Sequence, residues 1–248
     1  MPSVAEWCEE DDFTLSMSAG FMGFFAHAGF LKALREKGLA PTAGRGSSAG
    51  GLIVGADAAG VEPGKMAEEL ANLQREDFWD PAPGFGLLRG LLFEQKLRSL
   101  LPVTEFSECR IPLEVSVFDV KSREKEIRRQ GDLALALHAT CAFPGLLQPV
   151  DIDGRPKLDG GIKDWAGLAD SRPDERILHL RLNSRLSRYI PGNSQSRQLI
   201  IRPNMQIVEV EGIPPVTPFS LHKGMEAYRI AEKGMLHALD QPVAGDLV

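Results

Sequence analysis

A serine stands at the centre of Gly46-Ser47-Ser48-Ala49-Gly50-Gly51, with Gly46 and Gly50 two residues to either side of Ser48. The Gly-x-Ser-x-Gly spacing suits a nucleophile held on a sharp turn between a strand and a helix. Small flanking residues let strand and helix approach closely and tolerate strained backbone angles. Ser48 then falls at the first turn of a helix, where free N–H groups and the helix dipole favour negative charge. The chemistry of such a serine is attack on a carbonyl carbon, with charge developing on the carbonyl oxygen.

A serine hydroxyl is a weak nucleophile and needs a base and donors for that oxygen. Histidine is the usual base, and in the chain order Ser…Asp…His it follows the acid. His179 lies in an expected strand, and His222 and His237 lie near the ends of an expected helix. None sits in a glycine-rich loop after a strand. Asp159, followed by Gly160 and Gly161, is the stronger partner. A carboxylate at a glycine turn can approach a neighbouring backbone closely, and burial that raises its pKa lets it act as the base directly. The same three residues also read as a plain Asp-Gly turn. Residues 18–23, Ser-Ala-Gly-Phe-Met-Gly, precede a helical pattern. Successive backbone N–H groups in such a loop make an anion-binding concavity, and the loop equally serves as a tight strand-to-helix connection.

The elements that must position these groups follow from periodicity. Strands are predicted over 13–17, 41–45, 111–120, 125–129, 176–182, 199–201 and 206–210, with a hairpin around Asp153-Gly154. Helices are predicted over 23–37, 52–59, 64–75, 133–141 and 221–239. Gly29, inside the first helix, marks close packing, predicted against the helix that follows Ser48. Residues 1–12 read as a polar lead-in and 184–196 as a polar loop. The stretch 76–92 reads as irregular and greasy, either packing its own apolar residues or forming a lipid-facing flap over 78–93.

Length and composition bound the reading. The 248 residues are 43% hydrophobic and 25% charged, as in an ordinary globular protein. With no repeat, low-complexity tract or linker, one domain over 1–248 is expected, its core at about 13–240. A net charge of −6 argues against nucleic acid as a partner and against an electrostatic grip on anionic lipid. Cys8, Cys109 and Cys141 form neither a metal spacing nor a disulfide framework, so a reducing, cytoplasmic location is expected, without metal or cofactor. The acidic N-terminus has no apolar run, so no signal peptide is expected, and no stretch approaches the ~18 apolar residues of a membrane span.

The three segments in this order resemble the patatin-like phospholipase family of bacterial type. Leu15-Ser16-Met17, the loop 20–23 and Ala26-His27-Ala28-Gly29-Phe30-Leu31-Lys32-Ala33-Leu34 are similar to its first strand, oxyanion loop and first helix. Gly46-Ser47-Ser48-Ala49-Gly50-Gly51 is similar to its nucleophile motif, and Val117-Phe118-Asp119-Val120 to a core strand. Ala139-Thr140-Cys141-Ala142-Phe143-Pro144-Gly145 and Asp159-Gly160-Gly161 resemble the segments leading to and holding its aspartate. The resemblance implies a three-layer α/β/α sandwich around a mixed, mainly parallel sheet. It implies a serine hydrolase of lipid acyl esters that works through Ser48 and Asp159 without a histidine. It implies an oxyanion hole from the backbone N–H groups of Gly20, Phe21, Met22, Gly23 and Ala49. Met22 stands where the family carries Arg or Lys, which tilts the expected substrate towards esters without a strong anionic demand. Asp164-Trp165 replaces a smaller, more polar pair and is expected to reshape one pocket wall. Two other readings stay open: a catalytically silent lipid-binding protein on the same fold, and an α/β-hydrolase with a Ser-His-Asp triad.

Overall fold

The computed structural model describes residues 1–182 and 201–243. The loop predicted over 184–196 and most of the strand predicted over 199–201 fall outside the described residues. The chain opens with a helix where a lead-in was expected, α1 (Val4–Glu10). Ser3 and Glu6 cap it reciprocally, each accepting from the other's backbone N–H, and its buried Val4, Trp7 and Cys8 join the core.

From there strands and helices alternate. β1 (Thr14–Met17) leads into α2 (Phe24–Glu36), and β2 (Ala43–Ser47) into α3 (Ala49–Ala58) and α4 (Pro63–Ala71). The greasy stretch then resolves into a 3-10 turn, β3 (Gly86–Leu88) and a helix that periodicity missed, α5 (Leu91–Leu100). Next come β4 (Leu113–Asp119), β5 (Glu124–Arg128), α6 (Leu133–Thr140) and β6 (Gly145–Leu147). The predicted hairpin forms β7 (Val150–Ile152) and β8 (Arg155–Asp159), and β9 (Ile177–Arg181), β10 (Met205–Glu209) and α7 (Gly224–Leu239) complete the described elements.

Helices flank a mixed sheet in which β10, β9, β1, β2 and β4 run parallel in that order. All ten residues of α3 are buried, as its apolar, small-residue sequence requires. α2 packs on α7, and here the prediction for Gly29 is corrected. A Cβ at Gly29 would overlap the Tyr228 carbonyl of α7, so the close approach is to that helix and not to α3.

The pairing of β4 decides the geometry of everything downstream. β5 runs antiparallel along one edge of β4, from Val115 to Asp119. The other edge is shared. β2 occupies its first half, with Ser47 opposite Ser116, and β8 occupies its second half, with Asp159 opposite Val117. β2 runs parallel to β4 and β8 antiparallel, so their C-terminal ends meet head-on. A buried ion network holds β8 in that register. Lys157, 1% exposed, reaches Asp119 Oδ2 and Glu126 Oε2 at 2.5 Å each. Arg155 adds a two-pronged contact to Asp119 at 2.6 and 2.8 Å. The Arg155 and Lys157 bonds hold the Asp119 carboxyl well below the usual carboxylate range.

Removing one partner of a buried pair costs about 3–5 kcal/mol where the other charge is left alone; without Asp119, Lys157 still keeps Glu126, so the loss here falls below that range. Asp119→Ala is therefore expected to destabilise the protein by about 1–3 kcal/mol in chemical denaturation. Replacing the pair together, Asp119→Leu with Lys157→Met, is expected to recover most of the loss. Equal losses in the two variants would contradict this role.

Candidate active site

β2 ends where it does because the backbone leaves the extended region at Ser48, with φ 51° and ψ −127°. A residue with a side chain persists in such a conformation only where its surroundings hold it. Sterics supply part of the hold. A Cβ at Gly46 would lie 2.6 Å from the Gly51 nitrogen, and one at Gly50 would overlap the Met17 carbonyl at the end of β1. Hydrogen bonds supply the rest. The Ser48 N–H donates to Thr140 Oγ1 at 2.8 Å, and the Thr140 hydroxyl donates to the Ser116 carbonyl at 2.6 Å. Thr140 thus ties the turn to β4. Leu52 N–H donates to the Ser48 carbonyl at 2.9 Å, starting α3.

Asp159 arrives from the opposite direction on β8. A Cβ at the next residue, Gly160, would overlap the Ser116 carbonyl and lie 2.8 Å from Ser47 Oγ, so glycine is what lets β8 end against β2. The Ser48 hydroxyl donates to Asp159 Oδ2 at 2.7 Å, and the Gly161 N–H donates to Oδ1 at 2.8 Å. Asp159 is only 5% exposed. Burial lifts its carboxyl from 3.8 to about 6, overriding the two hydrogen bonds, which act the other way. The group is ionised at neutral pH yet basic enough to accept a proton, the balance a general base needs.

The loop 18–23 is anchored at both ends. Ser18 N–H donates to the Leu180 carbonyl at 3.1 Å, Ala19 N–H to the Trp165 carbonyl at 2.7 Å, and Gly23 N–H to the Gly20 carbonyl at 2.8 Å. Met22 sits at φ 52° inside that last turn. The N–H groups of Gly20, Phe21 and Met22 find no acceptor among the described residues. Ala49 is the first residue of α3, where N–H groups lack helical partners. Gly23 departs from its predicted role: its N–H is spent on the turn. His27, unassigned by sequence reasoning, braces the loop from α2 by donating from Nε2 to the Ser18 carbonyl at 2.8 Å. Burial lowers His27 to about 4 and His179 to about 3, so both rings are neutral.

Ser48 borders two cavities. The larger, about 150 Å³, lies between α3, α4 and α5 and has almost wholly apolar walls, including Leu52, Met66, Phe93 and Leu97. The smaller, about 10 Å³, lies beside Asp159 against Gly161, Ile162 and Trp165. Trp165 therefore shapes a wall of the smaller cavity, whereas Asp164, the other member of that pair, borders neither. Gly20 and Phe21 border both cavities, Met22 and Ala49 the larger, and Gly23 neither. No histidine borders either one, and His222 and His237 are exposed. The stretch 78–93 divides: Phe78, Leu88 and Phe93 line the larger cavity, whereas Phe85, Leu87 and Leu91 face outward. Among the described residues no group of three or more His, Cys, Asp or Glu side chains is arranged to hold a metal ion.

A family model described as patatin-like phospholipase matches residues 15–169. Uncharacterized NTE family proteins of Mycobacterium tuberculosis and Mycobacterium bovis are each 30% identical to the chain over 158 residues, 62% of this chain and 44% of theirs. The chain thus spans less than half the length of these relatives. Among solved structures, VipD from Legionella pneumophila shares the fold at a TM-score of 0.65 and 14% identity, covering 92% of this chain and 67% of its own.

Thr140 carries no chemistry of its own, and its place in the sequence signals nothing beyond a small polar residue on an apolar helix. Thr140→Val keeps the shape and removes both hydrogen bonds, leaving a buried N–H and carbonyl unpaired at a cost of about 1–3 kcal/mol. The expected result is lower stability together with about a tenfold or greater loss in the rate of Ser48 phosphonylation by a fluorophosphonate, with Thr140→Ser close to wild type. Wild-type labelling in Thr140→Val would show that the tie does not position the serine.

Proposed function

The chain belongs to the patatin-like phospholipase family, and from that premise we propose that it is a lipid acyl hydrolase working through Ser48 and Asp159. The single observation that carries the reading is the 2.7 Å hydrogen bond from the Ser48 hydroxyl to a buried carboxylate of raised pKa. Ser48 Oγ attacks the ester carbonyl while its proton passes to Asp159 Oδ2. The negative charge on the former carbonyl oxygen is met by backbone N–H groups drawn from Gly20, Phe21, Met22 and Ala49. Collapse breaks the bond to the alcohol, which leaves with the proton from Asp159. Water then attacks the acyl-enzyme and returns a proton to the same carboxylate, and release of the acid regenerates Ser48. The smaller cavity beside Asp159, about 10 Å³, is of the order needed for one water.

The substrate is an ester with an apolar acyl group, held in the cavity between α3, α4 and α5. Met22, in place of a cation, favours esters without a strongly anionic head group. Phe85, 92% exposed, and the outward-facing Leu87, Leu91 and Phe219 support transient contact with a lipid surface. Among the described residues no helix is long and apolar enough to cross a membrane.

Hydrolysis of a chromogenic carboxylic ester tests the reading. Ser48→Ala and Asp159→Asn are each expected to lose roughly 10²–10⁴-fold in kcat while remaining folded. Paired Phe85→Asp and Leu87→Asp changes are expected to lower turnover of vesicle lipid and spare the soluble ester. Full activity in either catalytic variant would sink the mechanism, and no turnover in the wild type would favour a lipid-binding role. Loss of vesicle and soluble turnover alike in the paired variant would reject the surface contact.

A further inference from the structure

The larger cavity holds one feature that an apolar pocket does not need. Glu69 of α4 and Lys96 of α5 both border it, and they meet across it, Lys96 Nζ to Glu69 Oε2, at 2.7 Å. The other Glu69 oxygen is held by Lys65, one turn back on α4, at 2.8 Å. The surrounding walls come from apolar side chains on the same helices: Met66 and Leu70 on α4, Leu97 and Leu100 on α5, Leu52 and Ile53 on α3. Leu52 and Ile53 carry the wall along α3 from Ser48, and the partly exposed ion pair joins α4 to α5.

We infer that the Lys96–Glu69 pair is a strap that sets the acyl-chain length this pocket admits. The inference rests on the acyl-hydrolase reading for its substrate class, and it names the residues that would set specificity within that class. With the strap closed the cavity measures about 150 Å³. An apolar cavity of about that size takes up a benzene ring, six carbons. Acyl chains of about six to eight carbons therefore fit beside Ser48, and a longer chain must part α4 from α5. The pair is suited to controlling that movement. Both side chains are partly exposed, 33% for Lys96 and 24% for Glu69. Solvent-screened pairs of this kind are weak and readily broken. Their opening exposes apolar walls that only an apolar chain would fill. Lys65 keeps Glu69 from turning inward as a bare carboxylate when Lys96 moves away.

The experiment has two arms. In the first, kcat/KM is measured over a series of p-nitrophenyl esters from butyrate to palmitate for wild type, Lys96→Met, Glu69→Gln and Lys65→Met. Wild type is expected to peak at about six to eight carbons. Lys96→Met and Glu69→Gln are expected to raise the dodecanoate-to-hexanoate ratio by about two- to fivefold, the most that loss of a solvent-screened pair supplies. Lys65→Met, which leaves the strap in place, is expected to keep the wild-type profile. In the second arm, binding of hexanoate and dodecanoate to Ser48→Ala, with and without Lys96→Met, is followed by calorimetry. This arm does not depend on turnover. A wild type that cleaves no ester would reject the hydrolase reading while the binding arm still decides the strap. An unchanged ratio in both arms, or the same shift in Lys65→Met, would overturn the strap.

Discussion

Two strands share one edge of β4 and point at each other. β2 stops at Ser47, opposite Ser116, and β8 stops at Asp159, opposite Val117. Everything at the candidate site follows from that collision. Neither chain can continue, so each must turn out of the sheet within a residue. The turns need glycine where backbones nearly touch: Gly46 and Gly50 on one side, Gly160 on the other. What is left facing across the gap is a hydroxyl and a carboxylate 2.7 Å apart. A side-chain pair placed by two strand ends inherits the rigidity of the sheet, whereas one placed by loops would not.

This arrangement is held against its own preferences. Ser48 has a backbone conformation that disfavours side chains, Met22 has a positive φ in the adjoining loop, and Asp159 is ionised in a buried place. Burial raises its pKa from 3.8 to about 6, the sign of that last cost. By linkage, a folded-state pKa above the unfolded one adds stability below the unfolded value and loses it as pH rises through about 6. At neutral pH the carboxylate therefore works against the fold by about 3 kcal/mol. The compensation lies elsewhere: an α3 that is buried throughout, the Asp119–Lys157 network that pins β8, and Thr140 bridging the turn to β4.

The parts legible in the sequence are those where sterics act locally. Glycines around Ser48 and after Asp159 had to be there for close approach, and they stand out in a linear reading. So do the apolar periods of α2 and α7, the small-residue run of α6 and the β-rich run of β4. The meeting of β2 with β8 was not legible, because strand pairing is a relation between segments more than 100 residues apart in the chain. Thr140 and His27 were passed over for the same reason, since each acts on a backbone group of another element. α5 was hidden differently. Its start lies in a run of Pro, Gly and aromatic residues that looks irregular, and its apolar side chains face a cavity as well as the core. α1 was too short for periodicity to show, and its Ser3–Glu6 capping pair was passed over.

The claim at the centre of this account is that Asp159 takes the Ser48 proton. The most direct test is the rate at which a fluorophosphonate labels Ser48 as pH is raised from about 4 to 8. Since only the ionised carboxylate accepts a proton, labelling of the wild type should climb through a midpoint near 6 and then level off. In Asp159→Asn it should be slow and flat across the same range. A wild-type midpoint at the ordinary carboxylate value, or undiminished labelling in Asp159→Asn, would contradict it.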